Sequence, residues 1–174
     1  MTEYYPLAEQ VHQELRALGG TLAVAESLTG GLLAARLVEV PGASVTFRGS
    51  VTAYATELKA SLLGVDEGLL EVYGPVHPVV ARQMAEGVRR LLGATYGLST
   101  TGVAGPGAQD GMPAGTVHLG FAGPGGSVVR SPLLSGDRAT IRRMAVTGAL
   151  ELFLASALID AGPDGHHDLP LNSR

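Results

Sequence analysis

The strongest constraint on folding in this sequence is its alternation of short, apolar, β-compatible runs with stretches of helical periodicity, punctuated by glycine and proline. Residues 21–25 form one such run and pass through Glu26-Ser27-Leu28-Thr29-Gly30-Gly31 into a stretch that reads as a helix. Thr29 is its expected cap, and Pro41-Gly42 stops it near Val40. The order then recurs, with a strand expected over residues 48–54, Thr56 as a cap, and a short helix over 57–63 ending at Gly64. A further short helix is expected over 66–72. After Pro75 and Pro78, Val80, Met84, Val88 and Leu91 mark an amphipathic helix with Arg82, Glu86 and Arg89 on its other face. Ahead of the first strand, Leu7, Val11, Leu15 and Leu18 recur at helical spacing until Gly19-Gly20. Repeated β-loop-α units of this kind predict an α/β fold.

The second half changes pattern. A strand over residues 95–100 enters a glycine-rich loop from Gly102 to Gly115, and residues 115–133 read as a hairpin turning near Gly123-Pro124-Gly125-Gly126. The sheet is therefore expected to be mixed, within a three-layer α/β/α sandwich. A last helix from about Arg138 to Leu158 is expected to bury Ile141, Ala145, Gly148, Leu152 and Ala155. The 174 residues are enough for one such domain, assigned to residues 1–159. Residues 160–174 contain glycine, proline, His166-His167 and few large apolar groups, and are expected to form a disordered tail.

Composition narrows the function. Cysteine is absent, which removes disulfides, thiolate metal sites and cysteine nucleophiles together. A net charge of −4 with dispersed arginines argues against stable nucleic acid binding. No apolar run reaches the ~18 residues of a membrane span, and Met1-Thr2-Glu3-Tyr4 opens with an acid where a signal peptide carries base. A soluble, cytoplasmic protein is expected. The five histidines show no HExxH or paired-ligand spacing. His12 falls on the first helix, His77 in a turn, and His118 reads as an outward strand residue. No metal site and no cofactor are expected. A P-loop is excluded because Lys59, the only lysine, does not follow glycine, and the loop after residue 101 does not read as GxGxxG.

Five places carry chemistry. Ser27 lies where a strand hands over to a helix, and the free amides of a helix start, with Gly30 and Gly31 allowing close approach, suit a phosphate or an oxyanion. A capping role for Ser27 or Thr29 is the alternative. Lys59 lies in the first turn of a short helix, five residues after Tyr54. Unlike arginine, it becomes a general base when desolvation or a helix N-terminus lowers its pKa. A solvated surface lysine is the competing reading. Ser44, in Gly42-Ala43-Ser44, is a second serine whose alternative role is a turn. Thr101-Gly102-Val103-Ala104-Gly105-Pro106-Gly107 ends a strand where open sheets bind ligands, and in Ser135-Gly136-Asp137-Arg138 the aspartate can cap the last helix beside an arginine fork.

Together these motifs resemble the C-terminal domain of CinA, the competence/damage-inducible family that includes stand-alone nicotinamide mononucleotide deamidases. The resemblance spans about residues 5–158. It rests on ESLTGG, Gly42-Ala43-Ser44 through Phe47, Tyr54 with Lys59, Leu63-Gly64-Val65, Met84-Ala85, TGVAGP, Pro113-Ala114-Gly115 and SGDR. Larger CinA proteins carry a further N-terminal domain for which this length has no room.

The resemblance implies hydrolysis of the carboxamide of nicotinamide mononucleotide to nicotinic acid mononucleotide and ammonia by a Ser/Lys dyad. It places the polar site group on Ser27, Ser44, Tyr54, Lys59, Thr101 and Arg138. Ser27 is the preferred nucleophile and Ser44 the alternative. Tyr54 is expected to orient Lys59 or relay a proton. Thr29, Gly30, Gly31, Thr101, Gly102, Gly105, Arg138 and Arg142 are expected to bind a small-molecule nucleotide. A homodimer or larger homo-oligomer is also expected. The chain departs from the family pattern at His77, where serine is usual, and in the loop 107–115, which is about one residue shorter. Two rival readings are a noncatalytic nucleotide-binding or adaptor module linked to competence or DNA damage, and an amidase for a related substrate.

Overall fold

The computed structural model of the chain describes residues 5–160, so the expected tail beyond Asp160 lies outside the described residues. Helix α1 (Tyr5–Ala17) buries Ala8, Val11, His12 and Leu15, with Leu7 and Leu18 packed at its margin. It ends where Gly19 takes a φ of +61° and the Gly20 amide donates back to the Leu15 carbonyl. Then follow β1 (Leu22–Glu26), α2 (Leu32–Val38), a 3-10 turn (Ala43–Val45), β2 (Phe47–Thr52), α3 (Thr56–Leu63) and α4 (Glu67–Tyr73). The second half runs α5 (Pro78–Leu91), β3 (Tyr96–Gly102), β4 (Val117–Gly123), β5 (Gly126–Arg130) and α6 (Arg138–Asp160).

The five strands form one open sheet in the order β2-β1-β3-β4-β5. β1 runs parallel to both β2 and β3, whereas β3–β4 and β4–β5 are antiparallel, so the sheet is mixed. Strand alternation sorts the two core faces. Leu22 and Val24 of β1, Leu98 of β3, and Leu119 and Phe121 of β4 pack with α1, α2 and α6. Ala23 and Ala25 turn to the other face, against Leu63 of α3, Leu70 of α4, and Val80, Met84 and Val88 of α5. The result is a three-layer α/β/α sandwich.

The second face is made of small residues, which lets α5 approach closely. A Cβ added at Gly97 would lie 2.1 Å from the Ala85 carbonyl oxygen, and one at Gly120 would lie 2.4 Å from that of Ala81. All of β4 is buried, because helices cover both its faces. His118 is therefore 9% exposed and hydrogen-bonded to Ser131, rather than outward. Leu91, at the last turn of α5, is exposed. Helix α6 buries a broader face than expected, including Val146, Leu150 and Phe153, while Ala155 points outward.

Two caps differ from the sequence reading. Helix α2 begins at Leu32 after Gly31 rather than at Thr29, whose hydroxyl is turned inward to Thr100, 2.7 Å away. Helix α3 has Ala55 in the cap position and no side-chain cap from Thr56. Elsewhere the caps are conventional. Asp66 accepts from the Leu69 amide, His77 accepts from the Val79 amide, and Asp137 accepts from the Thr140 amide at the start of α6.

Candidate active site

Because β1, β2 and β3 are parallel neighbours, their carboxyl ends open on one edge of the sheet, where open α/β sheets bind ligands. Ser27 follows β1, Ala53 and Tyr54 follow β2, and Thr101 and Gly102 close β3. All of these except Ala53 border an open cleft of about 330 Å³ whose other walls include Pro75 and Val76, the Gly105–Gln109 segment, and Arg138 from the start of α6.

Lys59 enters this cleft from below. On α3 the buried residues are Lys59 and Leu63, one turn apart, so the lysine occupies a core-facing position and is wholly inaccessible. Its Nζ donates to the Ala53 carbonyl at 2.7 Å, to the Tyr54 carbonyl at 3.5 Å and to Ser27 Oγ at 3.1 Å. Burial pushes its pKa down to about 8 from an ordinary 10.5, opposed by the nearby charge of Glu57.

The Ser27 turn is held on two sides. Along β1, Leu22, Val24 and Glu26 share a face, which brings the Glu26 carboxylate beneath α2. There it accepts the amides of Gly31, Leu33 and Ala34 at 2.8–3.1 Å. Ser27 falls on the opposite face, towards Lys59. The Ser27 amide donates to the Thr100 carbonyl, fixing the turn to β3. Glu26 has the anchoring role that the sequence reading gave to a capping hydroxyl. Its signal was present in the strand's two-residue period.

The expected site residues separate into two groups. Ser27, Tyr54, Lys59, Thr101, Gly102, Gly105 and Arg138 all line the cleft. Thr101 Oγ1 donates to the Pro75 carbonyl, and Arg138 donates to the Gly105 carbonyl at 2.7 Å and to the Tyr54 hydroxyl at 3.1 Å. Tyr54 therefore meets Lys59 through its main chain, while its ring reaches Arg138. Thr29, Gly30, Gly31 and Arg142 are not among the lining residues. Thr29 is buried against Thr100, and Arg142 donates to the Leu28 and Thr29 carbonyls.

Ser44 is placed elsewhere. It lies exposed in the 3-10 turn before β2, whereas Ser27 and Lys59 lie past the carboxyl ends of β1 and β2. The length of β2, about 20 Å at ~3.3 Å per residue, separates the two ends. Lys59 cannot serve both serines. Pro75, Val76 and Gln109 line the cleft without any signal in the sequence.

Comparison with known proteins agrees with this architecture. The CinA C-terminal domain model matches residues 4–157. A CinA-like protein of Frankia casuarinae is 64% identical over 132 residues, 76% of this chain and 30% of that protein. A putative competence-damage inducible protein of Caldanaerobacter subterraneus is 44% identical over 84% of this chain and 36% of its own length. The chain thus spans about a third of the length of these curated relatives. A crystal structure of a CinA superfamily protein from Klebsiella pneumoniae superimposes with a TM-score of 0.87 at 30% identity, covering 91% of this chain and 99% of that one. The competence/damage inducible protein of Agrobacterium tumefaciens gives 0.84 at 32% identity, over 89% and 96%. On the family match, the sequence identities and the shared fold, this chain belongs to the CinA C-terminal domain family.

Proposed function

We propose that this chain is an amidohydrolase that removes the amide nitrogen of nicotinamide mononucleotide as ammonia, with Ser27 as nucleophile and Lys59 as general base. The observation that carries the reading is a single, fully buried lysine 3.1 Å from a serine at the carboxyl edge of the sheet. A neutral amine has two N–H donors and one lone pair. In this setting the donors suit the Ala53 and Tyr54 carbonyls, which leaves the lone pair for the Ser27 hydroxyl proton.

The steps follow from that arrangement. Ser27 Oγ attacks the carboxamide carbon as its proton passes to Lys59. The carboxamide oxygen takes the negative charge and is received by the Leu28 amide; Leu28 lines the cleft, and its N–H donates to no protein group among the described residues. Lys59 then returns its proton to the departing nitrogen, and ammonia leaves an acyl-Ser27 ester. Water attacks this ester, gives its proton to Lys59, and regenerates Ser27 with nicotinic acid mononucleotide as product. Arg138, at the cleft rim, supplies a cation for the nucleotide's ribose or phosphate.

Ammonia release from nicotinamide mononucleotide tests the reading. Ser27→Ala is expected to abolish turnover by at least about 10³-fold, and Ser44→Ala to leave it within about twofold. Turnover lost in Ser44→Ala and kept in Ser27→Ala would overturn the assignment. Absence of turnover in the wild type, with nucleotide still bound, would favour an adaptor.

A further inference from the structure

Arg142 stands one helical turn beyond Arg138 on α6, yet it does not line the cleft. Its Nε donates to the Leu28 carbonyl at 3.0 Å and its Nη2 to the Thr29 carbonyl at 2.7 Å. It forms no ion pair among the described residues, so its charge is directed at two peptide groups of the Ser27 turn. A Cβ on Gly30 would sit 3.6 Å from Nη2, an ordinary van der Waals contact, so glycine is favoured there by its φ of +59° rather than by lack of space.

One of these two peptides, Thr29–Gly30, leads back to the nucleophile. The Thr29 carbonyl, bonded to Arg142, belongs to the same peptide as the Gly30 N–H. That N–H donates to the Ser27 carbonyl at 3.0 Å, and the Ser27 carbonyl shares its peptide with the Leu28 N–H. A trans peptide points its N–H opposite to its carbonyl. Each bond in this series therefore fixes the next, and a cation at its start polarises every peptide in the direction that strengthens the final donor. The final donor is the Leu28 amide, which donates to no protein group among the described residues and belongs to a residue that lines the cleft.

We infer that Arg142 is a positioning residue for the oxyanion donor: it orients and polarises the Leu28 amide through the Thr29–Gly30 and Ser27–Leu28 peptides without touching substrate. Glu26 complements it from the other side, accepting the amides of Gly31, Leu33 and Ala34, so the turn is held by an acid at its N–H groups and a base at its carbonyls. This role rests on Ser27 being the nucleophile. It replaces the ligand role that the sequence suggested for Arg142.

The test compares wild type, Arg142→Lys and Arg142→Gln, all confirmed folded by their thermal transitions, in two assays. The first is the labelling rate of Ser27 by a small fluorophosphonate, which carries a developing oxyanion but no nucleotide, read by intact mass with Ser27→Ala as blank. The second is nicotinamide mononucleotide turnover as a function of pH. Arg142→Gln is expected to lower both the labelling rate and kcat by about 10- to 100-fold, with Arg142→Lys intermediate. KM is expected to stay within about threefold, and the apparent pKa near 8 to be unmoved, because Lys59 is untouched. A raised KM with unchanged kcat and unchanged labelling would make Arg142 a substrate ligand and overturn the inference. Unchanged values throughout would also overturn it, as would a moved pKa, which would place the effect on Lys59. If wild-type Ser27 is not labelled, the nucleophile assignment fails first and this role falls with it.

Discussion

Lys59 is subject to two opposed demands. Burial makes its ammonium form costly, and that same cost brings its pKa down to about 8, where an amine can work as a base near neutrality. At pH 7 roughly a tenth of the molecules hold it neutral. kcat/KM is therefore expected to rise about tenfold per pH unit below 8 and to level off above it, and a flat profile from pH 6 to 9 would contradict the base role. Stability carries the same signature. The folded pKa lies below the unfolded one, so between about pH 8 and 10.5 the unfolded chain binds the extra proton and stability rises with pH. Urea denaturation should show wild type gaining on Lys59→Met by up to about 3 kcal/mol across that window, and no gain below pH 7. That lysine occurs once, and that a serine waits at a strand end, was legible in the sequence. Which face of α3 carries Lys59 was not, because Leu58 and Leu62 compete with Leu63 for the core, and only docking against α5 decides among them. The separation of Ser44 from the site likewise depends on β2 running parallel to β1.

At the scale of elements, the site is held by close packing between helices. Helix α5 meets α3 at Gly87, where an added Cβ would lie 1.9 Å from the Leu63 carbonyl oxygen. Leu63 is one turn from Lys59 on the same buried face, so any displacement of α3 there reaches the lysine. Gly87→Ala is expected to destabilise the fold by about 1–3 kcal/mol and to lower kcat although position 87 does not line the cleft. An unchanged melting temperature and activity would show that α3 is not fixed through this contact. The helix and strand order was readable because each change of period is marked by glycine or proline. The start of α2 was misplaced because the sequence offers a hydroxyl cap at Thr29, whereas a buried carboxylate at Glu26 outcompetes it for the amides. The buried His118 was misread because alternation implies a solvated face, and helices cover both sides of β4.

On the scale of the molecule, three parallel strands ending at one edge bring together residues 27, 59, 101 and 138, which are far apart in the chain. The three-layer sandwich and mixed sheet follow from the pattern of the sequence, and the family motifs gave the cleft's main polar groups. The walls formed by Pro75, Val76 and Gln109 depend on how long loops return over the sheet, which local sequence does not specify. The central claim is that this domain hydrolyses an amide through Ser27 and Lys59, and the most direct test is ammonia release from nicotinamide mononucleotide at pH 8 by wild type and Lys59→Ala side by side. The expected result is steady turnover by the wild type and a loss of at least about 10³-fold in the variant. A folded Lys59→Ala protein that still releases ammonia at a comparable rate would contradict the account.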